Sequence, residues 1–246
     1  MKSSVFPLPL RFLALLLLFS VILAFFCVKS GALKERSHPT DATATERITT
    51  VILDAGHGGE DGGASAASGL VEKDVNLKIV FLLRDLLEAN GIRVILTRDS
   101  DVLLYDKTVD YQGRKKMLDL SARRKIADEN PDAVFVSIHM NTYPLESCRG
   151  LQVWYSPNDP NSLDLATTVQ ETAKDRLDPQ NHRTVKRAGS NIYLMDKITI
   201  PAVLIECGFL TNEQEAARLA TDEYRQQIAV SIFLSIINTE FEVEKA

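Results

Sequence analysis

Five apolar runs of five to seven residues punctuate this chain, and most neighbours among them are separated by helical patterns. The runs are Thr49 to Asp54, Arg93 to Thr97, Ala133 to His139, Gly150 to Ser156 and Pro201 to Cys207. β-Branched and aromatic side chains dominate them, which is the composition of strands. Between the first two, Lys73 to Asn90 sets Val75, Ile79, Leu82, Leu83, Leu86 and Leu87 at helical spacing and stops at Gly91. Leu118 to Asn130 reads as a second helix, closed before Pro131, and Ser162 to Leu177 as a third. A final helix covers roughly Asp222 to Asn238, with Ile228, Ile232 and Ile236 on one stripe, and Thr211-x-x-Gln214 resembles a capping box ahead of it. Such alternation predicts parallel βαβ units. Near-continuous apolar strands predict a sheet covered on both faces. The expected fold is α/β: one domain, 48–240, with a mostly parallel twisted sheet flanked by helices on both faces. Residues 99–117, with Tyr105, Tyr111 and Gly113, read as a polar loop or insertion, and 178–190 as a second polar stretch.

What precedes this body is different in kind. Residues 1–32 carry Lys2, Arg11 and Lys29 and no acid, while the remainder holds 25 basic against 33 acidic residues. An acidic body argues against a nucleic-acid partner. Phe12 to Val28 is an uncharged run of 17 residues. That exceeds the roughly 7–15 residues of a secretory apolar core and only just reaches the lower limit, about 17, for spanning a bilayer. It reads as a signal peptide or signal anchor, with retention favoured and the body exported. Residues 33–47, polar and containing His38 and Pro39, read as a linker. Three cysteines cannot pair completely, so this is no disulfide scaffold.

In an open parallel sheet, ligands bind beyond the carboxyl ends of the strands. The first strand ends at Asp54 and delivers His57. The third ends at His139 and the last at Glu206, while Glu72 opens the first helix on the same edge. Of four histidines, two lie in polar segments, His38 and His182, and the other two meet on this rim. Imidazole and carboxylate donors with one position left for water suit a catalytic Zn2+. The expected ligands are His57, Glu72 and His139, which leaves Glu206 as general base. The glycines at 56, 58, 59, 62 and 63 let the backbone turn sharply. They lack the spacing and the lysine of a phosphate-binding loop. Asp54 either orients His57 or makes a turn. Arg123 is a candidate substrate contact that pairs with a rim carboxylate, or else a solvated helix arginine. Asn141 either bonds substrate or makes a turn. Cys207 alternates with Glu206 and so faces the other side of its strand; no role is evident for Cys148.

These stretches carry a resemblance. Leu53-Asp54-Ala55-Gly56-His57-Gly58-Gly59, Leu70-Val71-Glu72-Lys73-Asp74, Val136 to Asn141 and Pro201 to Asn212 resemble the zinc N-acetylmuramoyl-L-alanine amidases of bacterial cell walls. The short apolar leader, and Lys186-Arg187 through Met195, are similar to the spore-cortex branch of that family. The resemblance implies that His57, Glu72 and His139 bind zinc and that Glu206 is catalytic. It implies hydrolysis of the amide between the lactyl group of N-acetylmuramic acid and L-alanine of the stem peptide. In the spore branch this step precedes muramic-δ-lactam formation, in the space between the forespore membranes. The partners expected are peptidoglycan and the membrane through the leader; the need for an activating protein stays open. Trp154, Tyr155 and the 99–117 segment are candidate groove contacts. The competing readings are a general wall autolysin, another zinc hydrolase, a non-catalytic wall-binding protein and a membrane scaffold.

Overall fold

The computed structural model describes residues 44–243, apart from 107 and 109–111. The leader, most of the linker and His38 lie outside the described residues. Six strands form one sheet in the order β3-β2-β4-β7-β5-β6. They are β2 (Thr50–Ala55), β3 (Arg93–Leu96), β4 (Val134–Asn141), β5 (Gln152–Tyr155), β6 (Lys186–Arg187) and β7 (Ala202–Phe209). β3, β2, β4 and β7 run parallel. β5 lies antiparallel to β7. The reason is in the connection: no helix follows β4, so the chain has no crossover to carry it back across the sheet. It enters β5 at the end where it left β4.

Helices cover both faces. α1 (Glu72–Ala89), α3 (Asn161–Leu177) and α6 (Asp222–Asn238) pack on one side around Val75, Ile79, Leu83, Leu165, Val169, Ile228 and Ile232. α2 (Lys115–Asp128) and α4 (Tyr193–Lys197) cover the other, over Ile52, Phe135, Ala202 and Leu204. α1 obeys its apolar period: Val75, Ile79, Leu83 and Leu87 are 0–1% exposed, and Gly91 takes φ +78° past its end. Cutting such a leucine to alanine costs about 2–5 kcal/mol in a packed core.

Several boundaries differ from expectation. α2 begins at Lys115, three residues earlier, inside the expected insertion. The cap of α5 (Glu213–Leu219) is Asn212 rather than Thr211: its side chain accepts from the Glu215 backbone N–H. Thr211 instead accepts from the backbone of Tyr143 at 3.1 Å. The last four linker residues form β1 (Ala44–Arg47), which pairs antiparallel with β8 (Glu240–Val243) after α6. Neither strand carries an apolar run long enough to announce itself.

Candidate active site

One face of the sheet changes character along its length. Ile52 and Phe135 pair at its apolar base, Asp54 and Ser137 one step further, and His139 and Glu206 at the carboxyl rim. Alternation puts all six side chains on the same face. β2 then delivers His57 and the β4 register delivers His139, while α1 presents Glu72 from its first turn.

The three side chains meet. Glu72 Oε1 lies 3.2 Å from His57 Nε2 and 3.0 Å from His139 Nδ1. One donor atom from each falls within 4.8 Å of the others. Glu72 is held from the backbone as well: Ala64 N–H donates to Oε2 at 2.8 Å and Met140 N–H to Oε1 at 2.9 Å. Burial opposes the Glu72 charge, yet both histidines outweigh it and hold the carboxyl far below its ordinary range. Burial would also lower the His57 pKa, but Glu72 and Asp61 reverse that and raise it.

Two glycines make this meeting sterically possible. A Cβ on Gly56 would stand 2.2 Å from the His139 ring, and one on Gly63 would stand 2.5 Å from Glu72 Oε2 and 2.7 Å from His57 Cδ2. The cradle therefore closes on its donors with no room for a methyl. Two neutral-capable imidazoles and one carboxylate form a donor set suited to Zn2+.

Glu206 stands beside the trio, directly opposite His139 in the ladder. Its Oε2 is buried without a hydrogen-bond partner. Burial raises the pKa to about 7, with Glu72 adding to the rise and the two histidines opposing it. A carboxylate near neutrality in a cleft has the profile of a general base.

The other expected residues separate. Asp54 makes no direct hydrogen bond to His57. It accepts from Thr97 at 2.7 Å, Ser137 at 2.6 Å and Arg123 at 2.6 Å, beneath the rim. Burial opposes its charge, and Arg123 and Ser137 with other neighbours hold it ionised, below the usual carboxylate range. The acid beside His57 is Asp61, 2.9 Å from Nδ1. Sequence reasoning passed over it as one polar residue in a glycine loop, although its i+4 spacing was available. Arg123 offers no surface to a substrate: it is 1% exposed and bound to Asp54, Asp119, Ala55 O and His57 O. Asn141 is half-buried at the end of β4. Cys207 faces the apolar side, fully buried, where burial pushes its thiol pKa well up.

Trp154 and Tyr155 are corrected as groove candidates. Because β5 is antiparallel, Gln152 pairs with Glu206 while Tyr155 pairs with Val203. Two residues of strand for Trp154 and three for Tyr155, about 7 and 10 Å, carry the aromatics away from the rim. A groove of about 850 Å³ lies elsewhere, lined by Ala66, Tyr143, Pro144, Leu210, Thr211 and Glu213 among others. Its walls are the segments that follow β4 and β7 and the one that precedes Glu72.

A parallel sheet with a His-Glu-His cluster and a partnerless glutamate on its carboxyl edge has the parts of a metallohydrolase. Comparison with known proteins makes the class specific. Residues 51–238 match the model of the N-acetylmuramoyl-L-alanine amidase family. The germination-specific N-acetylmuramoyl-L-alanine amidase of Bacillus subtilis is 36% identical over 187 residues, 76% of this chain and 78% of that protein. The CwlD amidase from Clostridioides difficile, solved in complex with the GerS lipoprotein, superposes with a TM-score of 0.72 at 40% identity, covering 76% of this chain and 96% of that one. The amidase AmiC2 of Nostoc punctiforme gives 0.64 at 33% identity, over 78% and 97%. This chain belongs to the N-acetylmuramoyl-L-alanine amidase family. It is a peptidoglycan hydrolase, cutting the amide between the N-acetylmuramoyl group and L-alanine.

Proposed function

We propose that His57, Glu72 and His139 hold a zinc ion, that Glu206 is the general base, and that the enzyme acts on spore cortex. The observation that carries the reading is the partnerless Glu206 oxygen beside three converging donors. Zinc in such a site acidifies water and polarises a carbonyl. Glu206 takes the proton of the attacking water and passes it to the departing nitrogen of L-alanine. A carboxyl poised near 7 can do both within one turnover. Glu72 stays ionised throughout and cannot compete for that proton. The groove beside Tyr143 and Leu210 seats the polymer, and Asn141, at the end of β4, bonds the substrate.

The cortex role rests on likeness to the germination-specific and CwlD enzymes. The product is a muramic acid with a free carboxylate, the group that a lactam requires. Export places the body outside the cytoplasm, held by or released from residues 1–32, in the intermembrane space of the forespore. The CwlD relative was solved with a lipoprotein, which supports an accessory protein as activator here. The experiment is mass spectrometry of muropeptides from spores with and without this protein. Muramic-δ-lactam should vanish in its absence. An unchanged profile would return the reading to a general wall autolysin.

A further inference from the structure

Three consecutive carbonyls leave β2, and buried arginines take all three. Arg98 donates from Nε to Ala55 O at 2.8 Å and from Nη2 to Gly56 O at 3.1 Å. Arg123 donates from Nη1 to Ala55 O at 2.8 Å and from Nη2 to His57 O at 2.7 Å. The two come from different parts of the fold, one just beyond β3 and the other from α2. Each is anchored at its far side. Arg98 also donates to Lys73 O and Ser100 O. Arg123 also binds Asp119 Oδ2 at 2.8 Å and Asp54 Oδ1 at 2.6 Å.

The clamp ends where the backbone is strained. His57 has φ +64°, a region that few residues other than glycine occupy. Such a conformation costs on the order of 1–3 kcal/mol and persists only when its surroundings over-determine it. Here it has a visible consequence: it turns the ring so that Nε2 reaches Glu72. Neither arginine touches Glu72, His139 or Glu206 in any hydrogen bond described. Their planar forks match successive carbonyls, which a lysine ammonium does not do.

We propose that Arg98 and Arg123 are positioning residues, which hold the strained His57 backbone so that the donor trio is assembled before a metal arrives and its affinity for Zn2+ is thereby set. The proposal rests on the reading of His57, Glu72 and His139 as a metal site. A purely structural account would have the arginines merely fill and neutralise the space beside Asp54 and Asp119. The two accounts diverge in a folded variant.

Arg123→Ala strips the partner from two buried carboxylates and invites misfolding. Arg98→Lys and Asp119→Asn are the informative changes. The first keeps charge and loses the fork; the second leaves Arg123 in place and loosens its anchor. The full chain, purified in detergent and stripped of metal, is titrated with Zn2+ against a chelator of known affinity. Circular dichroism reports the fold, and histidine ring NMR signals report His57 in the metal-free state. Each folded variant should bind Zn2+ about 10- to 100-fold more weakly, the usual effect of losing an outer partner of a ligand. Its His57 signals should shift before metal is added. Lys125→Ala, on the exposed side of α2, should change neither. Folded variants with unaltered affinity and unshifted His57 signals would overturn the proposal. If the unaltered chain binds no Zn2+, the metal reading fails; the metal-free His57 signals then decide the clamp alone, and unshifted signals overturn it.

Discussion

Two corners of the same rim hold a glutamate, and they solvate it in opposite ways. At the α1 corner, Glu72 is 3% exposed and accepts from two backbone N–H groups, with two imidazoles against it. At the β7 corner, Glu206 offers a buried oxygen that nothing meets. One carboxyl is driven far down and the other up to about 7. Environment alone thus pushes the pKa values of identical side chains in opposite directions. The difference lies in what each element supplies. Glu72 draws one N–H, that of Ala64, from the loop before α1, and the other, that of Met140, from the point where the β4–β7 register shifts between His139 and Asn141. The middle of a parallel strand has already spent its own on the ladder.

The strongest way to break this contrast is to neutralise each corner. Glu206→Gln should keep its metal by elemental analysis and lose about 10²- to 10⁴-fold in release of peptide from purified wall, the range for a missing general base. Glu72→Gln should lose the metal along with activity. A Glu206→Gln enzyme with full activity would remove Glu206 as the base.

A second test uses stability in the metal-free protein, where the corners should act with opposite signs. An ordinary unfolded glutamate titrates near 4.3, and folded Glu206 titrates at about 7. Folding is therefore penalised increasingly as pH rises from the lower value to the upper. Glu206→Gln should add on the order of 3–4 kcal/mol at pH 8 and nothing near pH 4. Glu72 is the reverse case, with a depressed folded pKa. Its contribution is present above the unfolded value and fades as pH falls through the folded one. Glu72→Gln should lose stability at pH 6, where His57 still holds its proton. Denaturant melts across this pH range read both; gains of equal sign would show the corners to be alike.

The smallest expected effect sharpens the contrast. Glu215, in the first turn of α5 beside the carboxyl end of β7, accepts from the backbone of Phe209 at 2.8 Å and Gly150 at 2.9 Å. It is buried and acidic but makes no contact with the trio. Glu215→Gln should cost about 1–3 kcal/mol in thermal unfolding, as a weakened charge-assisted pair does, and leave kcat within a few-fold.

The strand ends were legible because chain pattern and topology agree: apolar runs named the strands, and the parallel-sheet rule named the edge. That was enough to bring His57, Glu72, His139 and Glu206 together from positions far apart in sequence. Asp61 and Arg98 escaped because nothing in periodicity distinguishes a polar residue that turns inward from one that faces water. Arg123 was noticed for the right chemistry, a carboxylate partner, and placed on the wrong side of the surface. β5 was recognised as a strand, but its direction depends on the missing crossover, which an apolar run does not display. β1 and β8 are polar enough that only their pairing reveals them.

Gly56 and Gly63 extend the site's signature beyond the residues that do the chemistry. A methyl at either position would meet ring or carboxylate atoms at 2.2–2.5 Å. For anyone sorting genomes, retention of two histidines and two glutamates is then an insufficient password. A homologue that keeps all four but spells alanine at either glycine has the vocabulary of this enzyme without its grammar, and belongs among the silent copies.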